Sequence, residues 1–341
     1  EATVTGELVV ELLPELQNAV PNLTLLYDPA VTPDEFAVKC VSSALKCANP
    51  AFAHDPYYRS RIGERYGIAS CYNGLYVGGG AYSLSRMRLC RIAERCRSLD
   101  EFFSVRLPEA VDAACRFMEA KIRFIAEEIP FFRTNFLVKE GFLERERFVG
   151  LFGLVGMNEC VNTLMDLCGR PGRYGPDEEA NRLGLRIVEA IERQVNAFQS
   201  KYCEVNGHRF LLHAQVGAVG DNGVTPGVRL AIGSEIPLYD HLRQAGMFHR
   251  FFPSGIGDIF PFDRTALQNP AAVLDVFKGA FRVGMQYIST YESESDVIRV
   301  TGYLIKRSDF EALQKGAPVA NGAVAASRET IEERGTYERM V

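Results

Sequence analysis

Phe148-Val149-Gly150-Leu151-Phe152-Gly153-Leu154-Val155-Gly156 is a nearly unbroken apolar run, closed by Met157-Asn158-Glu159-Cys160-Val161-Asn162. A strand with one wet face alternates apolar and polar side chains; this run does not, so it reads as a strand covered on both faces, the condition of a parallel sheet wrapped by helices. The polar residues behind it open a helix, and polar groups at the end of a buried strand are site candidates. On either side, Pro108 to Glu128 and Asp177 to Tyr202 read as long amphipathic helices, with Val111, Ala114, Cys115, Met118, Ile122 and Ile125 spaced for one buried face. A buried strand between such helices predicts an α/β protein.

The same alternation extends outward. Leu23 to Tyr27 is a strand candidate closed by Asp28-Pro29. Thr32, Pro33 and Glu35 then make a capping box for a helix running to about Cys47, before Asn49-Pro50 stops it. The extended stretch Tyr66 to Ala69 delivers Cys71 on a loop, and Gly78-Gly79-Gly80 predicts a sharp exit into a helix around Leu84 to Arg97. Arg209 to Val219 alternates, so His213 and Gln215 are expected on one face and Leu212, Ala214 and Val216 on the other. A helix is expected over Ala271 to Gly284 and a last short strand over Val297 to Thr301. Residues 316–341 are expected to form a mobile tail, Ala/Gly-rich and then charged. Gly217-Ala218-Val219-Gly220 and Gly255-Ile256-Gly257 lack the spacing and the lysine of a phosphate loop and read as turns. The alternation favours an α/β barrel-like architecture over a sandwich.

With 341 residues, 47% of them hydrophobic, the chain can build one large or two ordinary domains. A net charge of −5 with dispersed Lys and Arg offers no field for nucleic acid or an anionic membrane. No apolar run is long enough to span a bilayer, and the nine cysteines lack Cys-x-x-Cys spacing. His208 and His213, and His241 and His249, miss the i, i+4 spacing of a helical zinc pair. A cytoplasmic protein without a metal, acting on a small molecule, is therefore expected.

Two short motifs carry the chemistry. Arg299-Val300-Thr301-Gly302-Tyr303 can be read as a strand ending at a glycine turn, and Cys71 as one more buried thiol. Together with Tyr66-Gly67-Ile68-Ala69-Ser70-Cys71-Tyr72-Asn73-Gly74, however, the motif resembles the paired glycine and cysteine loops of glycyl radical enzymes. A glycine Cα radical is delocalised between its flanking amides only where no side chain crowds it, which makes glycine the residue that can store it. Such a radical takes a hydrogen atom from a nearby thiol, and the thiyl radical attacks a substrate C–H bond.

The resemblance covers roughly residues 20 to 315. Leu23 to Tyr27 through Phe36 is similar to the stretch before the cysteine loop in pyruvate formate-lyase-like enzymes, and as a whole the chain resembles the YjjI-type glycyl radical family. The resemblance implies a ten-stranded barrel of two five-stranded parallel half-sheets over residues 1–315, with a cysteine loop at 66–80 and a glycine loop at 297–307. It makes Gly302 the radical site and Cys71 the thiyl site. It also implies anaerobic, oxygen-sensitive chemistry with no bound cofactor, the radical being installed by a separate radical S-adenosylmethionine activase; a homodimer is expected. Family members usually run well beyond 341 residues and this chain begins at Glu1, so it is expected to be the C-terminal part of the family fold.

The departures from the pattern bear on the reaction. Pyruvate formate-lyase has two adjacent cysteines where this chain has Ser70-Cys71, which argues against its acyl transfer. Diol and choline-type eliminases place a glutamate two residues after the cysteine, where Asn73 stands here; an amide orients a hydroxyl but takes no proton. Gly153 to Asn162 resembles a segment of anaerobic ribonucleotide reductases. That makes Glu159 the first alternative base and Asn162 its polar neighbour, although a carboxylate at that place also suits a helix start. Tyr72, Asn73, Asn162, His213 and Gln215 are the candidate substrate-binding residues, with a hydrogen-bonded core histidine the alternative for His213. Elimination on a hydroxylated molecule is the leading expectation. The alternatives are a ribonucleotide reductase relative, although the Cys-x-x-Cys zinc motifs usual near that family's glycine loop are missing, and a catalytically incomplete fragment or partner.

Overall fold

The computed structural model describes residues 3–17, 22–69, 72–214, 224–231, 233–300 and 303–317. Cys71, Gln215, Gly302 and the tail from 318 lie outside the described residues. The strands are β1 (Thr24–Tyr27), β2 (Ala51–His54), β3 (Tyr66–Ala69), β4 (Asn73–Tyr76), β5 (Gly80–Arg88), β6 (Phe148–Val155), β7 (Leu211–Ala214), β8 (Ile259–Phe262), β9 (Tyr287–Glu292), β10 (Val297–Val300) and β11 (Tyr303–Lys306). Contacts divide the chain into two compact units, one of residues 1–58, 68–72 and 257–341, the other of 59–67 and 73–256.

In the second unit β5, β6 and β7 form a parallel sheet in that order. The central β6 is buried at every position, as its unbroken apolar run requires. The helix Leu107–Arg123 buries Val111, Cys115, Met118 and Ile122. It presses close at Gly150, where a Cβ would stand 2.9 Å from Ile122 Cδ1 and 2.7 Å from Phe210 Cδ1. Each fully buried aliphatic side chain on such a face stabilises the unit by about 1.5–3 kcal/mol. The helix Glu178–Ala197 starts at Asp177, whose Oδ1 accepts from Ala180 N at 3.0 Å. It ends before the expected Tyr202, because Phe198 is already extended.

One expectation fails in this unit. Leu84 to Arg97 is not one helix: Gly80–Arg88 is β5, paired with β6 from Gly80 opposite Phe148 to Arg88 opposite Val155, and only Leu89–Ala93 is helical. The glycine run serves close approach rather than a turn into a helix, since a Cβ on Gly79 would fall 2.0 Å from Arg147 O. Of the alternating stretch Arg209 to Val219, the described residues show Leu211–Ala214 as strand β7, and all four are buried, with His213 2% and Leu212 4% exposed; residues 215–219 lie outside the described residues.

In the first unit the sheet order is β1-β2-β9-β8. β1 and β2 pair in parallel, as do β8 and β9, while β2 and β9 run antiparallel. Tyr27 stacks on Phe281 at 5.9 Å between ring centroids, and Phe52 meets Phe277 edge-on at 5.0 Å. The helices Asp34–Cys47 and Pro270–Arg282 are joined by Lys278 and Asp34 at 2.7 Å. The expected capping box at Thr32 does not form. Thr32 Oγ1 accepts from Asp28 N at 3.1 Å, inside the turn that ends β1, and the helix begins after Pro33 without a side-chain cap. The protein is thus α/β with predominantly parallel main sheets. The expected five-stranded half-sheets appear among the described residues as sheets of three and four strands, not closed into a barrel.

Candidate active site

The arms of both loops are described while their central residues are not. β3 leads to Ala69 and the chain resumes at Tyr72, with Asn73 opening β4. On the other loop β10 and β11 form an antiparallel hairpin in which Val300 lies opposite Tyr303.

Within the first unit, Tyr72 is 2% exposed and its ring lies 6.0 Å from that of Tyr287. A Cβ on Gly257 would fall 2.0 Å from Tyr72 Cδ1 and Cε1, so the ring rests on bare glycine backbone. Tyr72 is therefore a packing residue behind its loop. Within the second unit, Gly74 N donates to Ser254 O at 3.0 Å, and Ile256 bridges in parallel to Ala214, next to His213. Ser254 is fully buried, and its Oγ has no hydrogen-bond partner among the described residues. Ser254, beside the stretch Gly255-Ile256-Gly257 read from sequence as a turn, and Ile256 within it thus support the strand after the cysteine loop and the end of the His213 strand. The signal was present in the two glycines of Gly255-Ile256-Gly257, which mark close approach as readily as a turn.

Glu159 lies in the first turn of the helix Met157–Leu167, beyond the C-terminal end of β6. Gly156, with φ of 79°, turns the chain from strand to helix in a conformation that suits glycine. Glu159 Oε1 accepts from Thr225 N at 3.1 Å, from Thr225 Oγ1, and from Asn158 Nδ2 at 3.3 Å. Its Oε2 is buried without a partner among the described residues. One oxygen therefore does the work of a helix-start carboxylate, and the other keeps its acceptor capacity. Glu159 Oε2 and Cys90 Sγ each lie 3.4 Å from the position of a Cβ on Gly156. Burial pushes the Cys90 thiol pKa up, and the Glu159 carboxylate pushes it further. Cys160, on the same helix, is fully buried and raised well above the ordinary thiol value by burial.

Asn162 is directed elsewhere: its Oδ1 accepts from Tyr174 N at 2.9 Å and holds the turn before the helix Glu178–Ala197. His213 stands on β7 in register with Gly153 of β6. Among the sequence candidates, the second unit places Glu159 beyond the end of β6 and His213 within the neighbouring strand. Asn158 belongs to the polar stretch marked in the sequence, whereas Thr225 and Cys90 were not anticipated, because their relation to Glu159 is made by the fold and not by sequence spacing. Among the described residues, no group of three or more His, Cys, Asp or Glu could hold a metal ion, and no helix is long and apolar enough to cross a membrane.

A family model described as glycyl radical enzyme YjjI-like matches residues 1–341. An uncharacterized protein of Haemophilus influenzae is 41% identical over 99% of this chain and 66% of its own length. The glycerol-bound B12-independent glycerol dehydratase from Clostridium butyricum superposes with a TM-score of 0.68 at 16% identity, covering 90% of this chain and 53% of that one. The anaerobic ribonucleotide reductase from Thermotoga maritima with glycerol in its active site gives 0.66 at 14% identity, covering 91% and 58%. At such identities the two structures show a shared fold and nothing finer. The chain spans about two thirds of the relative and somewhat more than half of either solved chain.

Proposed function

The chain belongs to the YjjI-like glycyl radical enzyme family, and from that premise we propose that it stores a radical at Gly302 and performs hydrogen-atom chemistry through Cys71. The observation that carries this reading is the presence of both loop motifs in a chain matched along its whole length by the family model. The Gly302 radical takes the hydrogen of the Cys71 thiol. The thiyl radical then takes hydrogen from a carbon bearing a hydroxyl on a small polar substrate. Loss of water from the neighbouring carbon gives a product radical, which takes the hydrogen back from Cys71, so atoms and electrons balance with no external reductant. Glu159 Oε2 is the proposed proton acceptor for the hydroxyl, since Asn73 cannot fill that role. Asn73, His213 and Gln215 complete the proposed surroundings of the substrate, while Tyr72 acts through packing and Asn162 through the turn it holds at Tyr174.

The proposed architecture is the ten-stranded barrel. The parallel pairings, the antiparallel junction of β2 with β9 and the likeness to the dehydratase fold support it. A radical S-adenosylmethionine activase is the proposed partner, the active form a homodimer, and the setting an anaerobic cytoplasm. A second reading, a ribonucleotide reductase relative, is favoured by the resemblance of Gly153 to Asn162 and by the fold likeness at a TM-score of 0.66. Binding of a ribonucleotide would decide for it.

Anaerobic electron paramagnetic resonance after treatment with the cognate activase tests the proposal. A glycyl doublet is expected, absent in Gly302→Ala and retained in Cys71→Ser, since an O–H bond is too strong to yield its hydrogen to a glycyl radical. A doublet that survives in Gly302→Ala overturns the assignment. A chain that folds, binds the activase and never shows a doublet would be a catalytically incomplete form.

A further inference from the structure

Inside the second unit, a cleft of about 270 Å³ opens between the C-terminal half of the helix Glu178–Ala197 and the segment leading into β7. Phe210 and Phe251 lie beneath it almost wholly buried, at 2% and 4% exposed, so its accessible lining is mostly polar. Arg61, Glu192, Asn196 and Arg209 line its walls.

The charges around the cleft are not equally engaged. Arg61 Nη2 donates to Arg250 O at 3.3 Å, and Arg250 pairs with Glu189 at 3.2 Å while its guanidinium lies 4.5 Å from the Phe251 ring centroid. Glu192 is half-buried, with Arg61 and Arg250 as its positive neighbours. These groups nearly balance one another. The Arg209 guanidinium and the Asn196 amide, in contrast, have no hydrogen-bond or ion-pair partner among the described residues. Both are exposed to solvent on the wall of the cleft.

We propose that this cleft binds a small organic carboxylate, with its oxygens on Arg209 and Asn196. A planar guanidinium matches a carboxylate with two parallel hydrogen bonds. The volume lies near the lower end of ligand pockets, which limits the occupant to a few heavy atoms. Glu192 opposes a second negative charge, which disfavours phosphate and dicarboxylates. The site lies at the start of β7, away from the C-terminal strand end where Glu159 stands, so it is separate from the proposed radical chemistry and does not depend on it.

Amide NMR titration of the intact chain with butyrate tests the proposal. Saturable shifts are expected at Asn196 and over Arg209 to Leu212, with none from butylammonium. Arg209→Gln should weaken butyrate about tenfold and Arg209→Lys less, because a lysine keeps the charge but not the fork. Asn196→Ala should weaken it as well. Arg193→Gln, exposed on the same helix but not lining the cleft, should leave affinity unchanged. Absence of saturable shifts, or equal affinity in Arg209→Gln, overturns the site. Tighter binding of inorganic phosphate at the same residues overturns the assignment to a carboxylate.

Discussion

Glu159 divides its carboxylate between two tasks, one oxygen tied to Thr225 and Asn158 and the other buried near the Cys90 thiol without a partner among the described residues. The negative charge disfavours a thiolate beside it, so Glu159→Gln should lower the Cys90 pKa. The checking measurement is the pH dependence of Cys90 alkylation, read by peptide mass spectrometry; the profile is expected to move to lower pH in the variant. An unmoved profile would mean that the carboxylate is not ionised beside the thiol. At Gly257 the argument is steric. A Cβ 2.0 Å from the Tyr72 ring forces either the ring or the backbone to shift. Gly257→Ala should cost about 1–3 kcal/mol in denaturant unfolding, as overpacked sites do, and Tyr72→Leu in the same chain should recover part of it. Equal losses from the substitutions singly and together, simply added, would place the strain elsewhere.

At the scale of elements, what the sequence makes legible is whatever local patterning decides. The run Phe148 to Val155 has one reading, and β6 is buried throughout. The helix start at Asp177 is equally local, and its side chain bonds Ala180 N at 3.0 Å. Asp177→Ala should therefore cost about 1 kcal/mol, measured as a shift in thermal or denaturant midpoint. The failures arise where tertiary contacts outweigh the local pattern. Leu84 to Arg88 has side chains acceptable in a helix, but the bare backbone of Gly79 and Gly80 admits the neighbouring strand and draws the segment into the sheet. Thr32 has the chemistry of a helix cap and spends it on the preceding turn. For the site, Glu159 is legible as a carboxylate behind a buried strand. Thr225 is not, because 66 residues separate it from Glu159 and only the fold brings them together.

At the scale of the molecule, the arms of the two loops have a common location in the chain's division. Ile68-Ala69 and Tyr72 fall in the same compact unit as the β10–β11 hairpin, while Glu159 and His213 belong to the other unit. Under the proposed function this first unit stores the oxidising equivalent, and its most exposed chemical weakness is a backbone radical in a linear chain. Dioxygen adds to a carbon-centred radical at Cα, and the resulting peroxyl species decays with cleavage of the chain at that residue. Activated protein exposed to air should thus give a large fragment ending near Thr301 and a small one of about forty residues beginning at Gly302. Protein never treated with activase should remain whole in the same air. Intact-mass measurement before and after exposure reads both outcomes without knowledge of the substrate. The Gly302→Ala variant supplies the decisive comparison, because it keeps every protease-accessible bond and removes the radical site alone. Cleavage of equal extent in that variant would assign the break to proteolysis and remove the support for a radical at Gly302.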